Sequence, residues 1–215
     1  MTENELIKLA EKAVEKLKQK NQTLALAESC TGGWVSKIIT DVSGASAVYQ
    51  GGVCSYSNEV KMNILGVKEE TLAQFGAVSE QVAVQMAEGV RKALNSDIGI
   101  GITGIAGPLS DSTSKPVGLS YIALADKDNI WVKELNTGHT NRDYNRFVNS
   151  SNALNMVRLY IKNSLYLLLL ILSYASCCSS VNLRGLSDFI CLLINGFLSI
   201  FCSIISIYPF FSNVL

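Results

Sequence analysis

A serine and a lysine are the first side chains in this chain that could do chemistry together. Ser29 stands in Glu28-Ser29-Cys30-Thr31-Gly32-Gly33, where the apolar run Thr23–Ala27 stops and a helix-like run from Trp34 to Thr40 begins. A small hydroxyl residue in a glycine-bearing strand-to-helix turn is expected to lie exposed at a sheet edge, near amides that receive negative charge. Lys61 follows in Ser55-Tyr56-Ser57-Asn58-Glu59-Val60-Lys61. A neutral lysine can take the proton of a serine hydroxyl, so the two form a candidate hydrolytic pair that needs no histidine. The chain has only 1 histidine, His139, so any Ser-His-Asp triad would have to run through it. A multi-histidine metal site is excluded for the same reason. Cys30 is the rival nucleophile, because a thiolate near a helix N-terminus is activated. Glu28 and Glu59 neighbour the two key residues and could serve them as hydrogen-bond partners. Nothing else in the chain calls for a paired-carboxylate hydrolase built on them.

Among 215 residues, 18 basic and 18 acidic side chains give no electrostatic reason to bind nucleic acid. The charges are unevenly placed, and after Lys162 only Arg184 and Asp188 carry any. Residues 1–163 therefore read as one soluble domain and 164–215 as an apolar tail. The six cysteines include no C-x-x-C pair, and the polar start Met1-Thr2-Glu3-Asn4-Glu5 is no secretory signal. A cytoplasmic, reducing setting is expected, with the thiols as small apolar fillers.

The elements that must position Ser29 and Lys61 read as alternating helices and strands. Thr2-x-x-Glu5 predicts a capping box opening an amphipathic helix that closes near Lys20-Asn21. A strand to Ala27, the Ser29 turn and a helix to about Val42 follow. Ala47 to Tyr56 predicts a strand interrupted by Gly51-Gly52, which signals a bulge or the close approach of a ligand. Lys68–Phe75 predicts a short helix ended by Gly76, and Ser79 caps a longer one with Ala83, Met86, Ala87, Val90 and Leu94 as its apolar stripe. Ile98, Ile100 and Ile102 alternate with Gly99, Gly101 and Thr103, a strand with one stripped-down face that ends in the turn Thr103–Pro108. Val117–Ala125 and Ile130–Leu135 predict paired strands. A last helix from Arg142 to Lys162 turns Phe147, Leu154, Val157 and Ile161 toward the body. The expected fold is α/β, a mixed sheet flanked by helices, with an apolar C-terminal tail.

Taken in order, Ala27–Gly33, Tyr56–Lys61, Gly76-Ala77-Val78-Ser79-Glu80, Thr103–Pro108 and Lys115-Pro116-Val117-Gly118 closely resemble the CinA C-terminal domain family. Within it the resemblance is to the stand-alone nicotinamide-nucleotide amidases, over roughly residues 4–162. The N-terminal domain of full-length members, similar to molybdopterin-binding domains, has no counterpart here, so no activity linked to it is carried over. The resemblance implies hydrolysis of the carboxamide of nicotinamide mononucleotide to nicotinic acid mononucleotide and ammonia. It implies Ser29 as nucleophile, Lys61 as general base, and Tyr56 to steady Lys61 or relay a proton. The backbone of Cys30, Thr31, Gly32 and Gly33 would hold the tetrahedral oxyanion. Thr103, Gly104 and Arg142 would receive the 5′-phosphate. No metal or organic cofactor is implied, and a homo-oligomer is.

The chain departs from the family pattern in three places. Leu109-Ser110-Asp111 follows Gly107-Pro108 in place of further glycines, and Leu119 replaces a common threonine. Gly138-His139-Thr140-Asn141-Arg142 extends Gly-Asp-Arg, while Arg142 and Arg146 keep their four-residue spacing. These leave a second reading, a nucleotide-binding or regulatory module of the same fold without turnover. The tail holds two apolar stretches, Leu165–Val181 and Phe189–Phe211, around a link containing both of its charges. Either it is a helical hairpin anchoring the domain to a membrane from the cytoplasmic side, or it is out-of-frame translation of an AT-rich gene.

Overall fold

Thr2 opens the first helix, α1 (Glu3–Lys20), with the reciprocal capping that its spacing predicts: its hydroxyl accepts from Glu5 N–H, and Glu5 accepts from Thr2 N–H at 2.7 Å. Asn21 then takes a left-handed conformation and stops the helix. This computed structural model describes residues 2–110 and 113–178. After α1 come β1 (Leu24–Glu28), α2 (Trp34–Thr40), β2 (Tyr49–Cys54), α3 (Asn58–Leu65), α4 (Glu69–Phe75) and α5 (Glu80–Ala93). They are followed by β3 (Ile98–Gly104), β4 (Leu119–Ala125), β5 (Ile130–Asn136) and α6 (Arg142–Cys178).

The strands form one five-stranded mixed sheet in the order β2-β1-β3-β4-β5. Strand β1 is parallel to both β2 and β3, while β3-β4 and β4-β5 are antiparallel. From β1 the chain passes to β2 on one side and later to β3 on the other. The carboxyl end of β1 is thus a topological switch point, where open α/β sheets form their clefts.

Both faces of the central strands are covered, which is why β1 is buried at every residue. On one face Leu24, Leu26, Ile98, Ile100 and Ile102 pack with Leu6 and Leu17 of α1 and Leu154, Val157 and Ile161 of α6. On the other, Ala25 and Ala27 pack with Val82, Met86 and Val90 of α5. The stripped-down face of β3 has a physical cause. A Cβ on Gly99 or Gly101 would run into the backbone carbonyls of Ala87 and Ala83, so α5 lies directly on the strand.

Three elements differ from their sequence expectation. Strand β2 covers Tyr49–Cys54 only, because Ala45–Ala47 winds into a 3-10 turn. Its glycine pair marks a bulge, where the register shifts between Leu24↔Tyr49 and Ala25↔Gly51. The close approach at Gly52 is made by the protein's own Tyr49 and Ser36 hydroxyls. Helix α3 has no counterpart in the sequence reading, although its caps are plain in retrospect: Ser57 Oγ accepts from Val60 N–H, and left-handed Gly66 ends it. Helix α6 runs beyond Lys162 to Cys178, through a stretch with no glycine or proline to stop it.

The chain divides into two units, Met1–Lys162 and Asn163–Leu215. Most of the predicted tail, 179–215, lies outside the described residues. Among the described residues no helix is long and apolar enough to cross a membrane. The first unit contains the whole sheet, so ending the chain after Asn163 should leave a protein with a cooperative thermal transition. Aggregation, or melting without a transition, would show that the apolar tail belongs to the fold.

Candidate active site

The turn bearing Ser29 is built from both ends. Ser29 N–H donates to Ile102 O of β3 at 3.0 Å, and Gly32 N–H returns to Ser29 O at 3.1 Å. Gly32 and Gly33 reverse the chain at φ +61° and +87°. Glu28, 1% exposed, turns its carboxylate onto the start of α2. It accepts from Val35 N–H at 3.1 Å, Ser36 N–H at 2.8 Å and Ser36 Oγ at 2.6 Å, while Tyr49 O–H donates to Ser36 Oγ at 2.7 Å. The helix amides expected to receive a reacting anion are thus already satisfied by a side chain of the protein. Glu28 holds the turn rather than facing the cavity.

Lys61 reaches the same point from α3. It is 2% exposed, among the largest fully enclosed side chains in the domain. Its Nζ lies 3.2 Å from Ser29 Oγ and donates to Ser55 O at 2.7 Å. Ser55 N–H is in turn anchored to Glu28 O at 2.9 Å, so the ends of β1 and β2 fix both partners. Burial disfavours the ammonium form and lowers the Lys61 pKa to about 8, with the Cys30 thiol acting weakly the other way. Cys30 is itself buried, which pushes its thiol up to about 12. A thiol so protonated at neutral pH is a poor nucleophile, which counts against the rival reading of Cys30.

A cavity of about 170 Å³ opens over the pair. Tyr56 and Arg142 stand on its wall, and Arg142 donates from Nη2 to Tyr56 Oη at 3.1 Å and from Nη1 to Gly107 O at 2.9 Å. Thr103 and Gly104 line it too, but the Thr103 hydroxyl gives its proton to Ala77 O at 2.7 Å. Among the described residues no group of three or more His, Cys, Asp or Glu is placed to hold a metal ion.

A profile of the CinA C-terminal domain matches residues 6–161. This chain belongs to the CinA C-terminal domain family. Its fold is that of solved family structures. The competence/damage inducible protein CihA of Agrobacterium tumefaciens superposes with a TM-score of 0.71 at 34% identity, covering 75% of this chain and 97% of that one. A CinA superfamily protein of Escherichia coli gives 0.69 at 26% identity over 73% of this chain and 89% of its own. In sequence, the nicotinamide-nucleotide amidohydrolase PncC of Escherichia coli K12 is 52% identical over 125 residues, 58% of this chain and 76% of that protein. A CinA-like protein of Desulfovibrio desulfuricans is 49% identical over 147 residues, 67% of this chain and 35% of that protein. The chain spans little more than a third of the longer curated relatives it matches, 37% for a competence-damage inducible protein of Thermoanaerobacter sp. X514.

In this CinA domain, Ser29, Cys30, Tyr56 and Lys61 meet in one cavity with Thr103, Gly104 and Arg142. Thr31, Gly32 and Gly33 do not line it. Thr31 is fully buried with its hydroxyl unpartnered, and its carbonyl accepts from Arg146 Nη2 at 2.8 Å. Two contacts differ from the expected ones. The Tyr56 hydroxyl is bonded to Arg142 and not to Lys61, on a ring that is 67% exposed. Thr103 offers only lone pairs while its proton is on Ala77, an unfavourable arrangement for a phosphate. Sequence reasoning missed Asn58, Ala77 and Val78 as lining residues. Asn58 had a signal, three residues before Lys61 on what proves to be one helix, but no helix was expected there. Lys115, also quoted without a role, donates to Phe75 O at 2.6 Å and to Val78 O, tying its loop to the cavity wall. His139 stands outside the lining, its ring 4.5 Å from that of Tyr144.

Replacing Glu28 by alanine leaves two buried amides of α2 without an acceptor. A loss of about 3 kcal/mol in unfolding free energy is expected from removing charged, buried hydrogen bonds, read by urea denaturation. A loss under about 1 kcal/mol would mean the turn stands without its carboxylate.

Proposed function

We propose that this chain hydrolyses the carboxamide of nicotinamide mononucleotide to nicotinic acid mononucleotide and ammonia, with Ser29 as nucleophile and Lys61 as general base. The observation that carries the mechanism is the desolvated Lys61 amine 3.2 Å from Ser29 Oγ. The substrate rests on the similarity to the amidohydrolase of Escherichia coli.

The chemistry follows from the bonding at Nζ. A neutral amine has two protons and one lone pair. With Ser55 O accepting one proton at 2.7 Å, the lone pair is free to face the Ser29 hydroxyl. As Oγ attacks the carboxamide carbon, Lys61 takes its proton and the carbonyl oxygen becomes an oxyanion. The Gly32 amide is committed to Ser29 O, and Thr31 and Gly33 do not line the cavity, so the oxyanion falls to the Cys30 amide, which donates no backbone hydrogen bond among the described residues. Lys61 then passes its proton to the leaving nitrogen, and ammonia departs from an acyl-serine. Water, deprotonated by the same amine, attacks the ester carbon; Ser29 recovers a proton and the acid leaves. Arg142 has three further N–H groups beyond its two bonds and serves the 5′-phosphate from the far wall.

Ammonia release from nicotinamide mononucleotide by the purified chain tests this directly. Wild type should release it, while Ser29→Ala and Lys61→Ala, both folded, should fall by a factor of about 10³ or more. Folded wild type that binds the mononucleotide without releasing ammonia would refute the enzymatic reading.

The protonation of Lys61 sets the pH profile. Because its pKa is about 8, most of the amine is charged and inactive at neutral pH. Turnover should rise about tenfold per pH unit below that value and level off above it. A profile flat from pH 6 to 9 would mean that Lys61 is not the titrating base.

A further inference from the structure

Asn145 is fully buried, and its side chain joins two segments that are far apart in sequence. Its Nδ2 donates to Ala106 O at 2.9 Å and to His139 O at 2.8 Å, while Oδ1 accepts from Thr137 Oγ1. Two carbonyls at one end of the amide and a hydroxyl at the other match its donors and acceptor, and no other side chain of this size offers that set. Asn149 supports it from the next turn of α6. Asn149 Nδ2 donates to Asn145 O at 2.9 Å, and its Oδ1 accepts from Ser120 Oγ of β4.

Neither segment otherwise holds the other by a backbone hydrogen bond. The turn after β3, Ile105–Gly107, supplies Ala106 to the cavity and gives Arg142 its carbonyl partner, Gly107 O. The segment after β5, Thr137–Thr140, packs directly on that turn. A Cβ on Gly107, at φ +86°, would stand 2.5 Å from Val117 Cγ1 and 2.8 Å from Thr140 O, so this glycine lets the Thr140 backbone come close. Arg142 lies one helical turn before Asn145, on the same face of α6. The position of its guanidinium therefore depends on where Gly107 O is held.

We propose that Asn145 is a positioning residue for the Arg142 side of the cavity: by clamping Ile105–Gly107 to Thr137–Thr140 it sets where Arg142 presents its guanidinium to an anionic substrate group. The proposal rests on the reading of this cavity as a mononucleotide site. It assigns Asn145 to substrate binding and leaves Ser29 and Lys61, held by the ends of β1 and β2, untouched.

The full-length chain tests it through Asn145→Ala and the milder Thr137→Val, which removes only the hydroxyl on Oδ1. In Asn145→Ala, KM for the mononucleotide should rise about tenfold or more with kcat within about threefold, and Thr137→Val should move KM the same way by less. In an Arg142→Ala background the Asn145→Ala effect on KM should largely vanish, because its lever is gone. Without any ligand, amide hydrogen exchange in 105–107 and 137–140 should quicken while β1 and α3 keep their rates. Loss of kcat at unchanged KM, effects additive with Arg142→Ala, or unaltered exchange in those segments would each overturn the proposal. Should wild type release no ammonia, the functional reading fails on its own, and the exchange measurement still decides whether Asn145 is the clamp.

Discussion

A lysine amine held out of water beside a serine hydroxyl is the constraint to which the rest of this domain answers. An ammonium ion in such a place is disfavoured, and burial here lowers the pKa of the amine to about 8. The amine must be enclosed enough to lose its proton and aimed well enough to use the lone pair that remains. Enclosure comes from α3 packed at the end of the sheet. Aim comes from the Ser55 carbonyl, which accepts from Nζ at 2.7 Å and leaves Ser29 Oγ 3.2 Å away. A salt bridge would have raised the pKa and defeated the arrangement, and the buried carboxylate close by in sequence, Glu28, is turned away onto α2.

That division between neighbours explains much of the architecture. Glu28, Ser29 and Cys30 leave the same strand end, yet one carboxylate stabilises a helix start, one hydroxyl faces an amine and one thiol is buried beyond reach of ionisation. Strand alternation and the left-handed glycines of the turn send them different ways. The Lys61 amine and the anchored Glu28 carboxylate are separate solutions to one problem, how to place polar groups in a sheet covered on both faces. The Glu28 carboxylate accepts three hydrogen bonds, and burial lowers the Lys61 pKa to about 8.

The cavity has two unlike walls because the sheet changes character across it. The parallel side, β2-β1-β3, delivers Ser29, Ser55 and Thr103 at carboxyl strand ends. On the antiparallel side the start of β4, Leu119, and the end of β5, Asn136, meet at that edge, and the turns beside them complete it. Side chains from α6 must then brace those turns, which accounts for buried Asn145 and Asn149 where an amphipathic helix would ordinarily place apolar residues.

Much of this was legible in the chain itself. Apolar periodicity determined the α/β class, the capping pattern determined α1 and α5, and the glycines of β3 marked a strand with one stripped-down face. The turn at Ser29 and its pairing with Lys61 were readable as types and spacing. Helix α3 was not, since its eight residues have only a weak apolar stripe and its caps, Ser57 and Gly66, are clear only once the helix is known. Nor were the partners of Tyr56, Thr103 and Asn145, which bond across 86, 26 and 39 positions of chain. Sequence by itself determined which groups could react, because residue type and local spacing set chemistry and secondary structure. Tertiary structure alone decided their protonation and their direction. Desolvation and hydrogen-bond partners belong to what surrounds a side chain, and strands distant in sequence supply those surroundings.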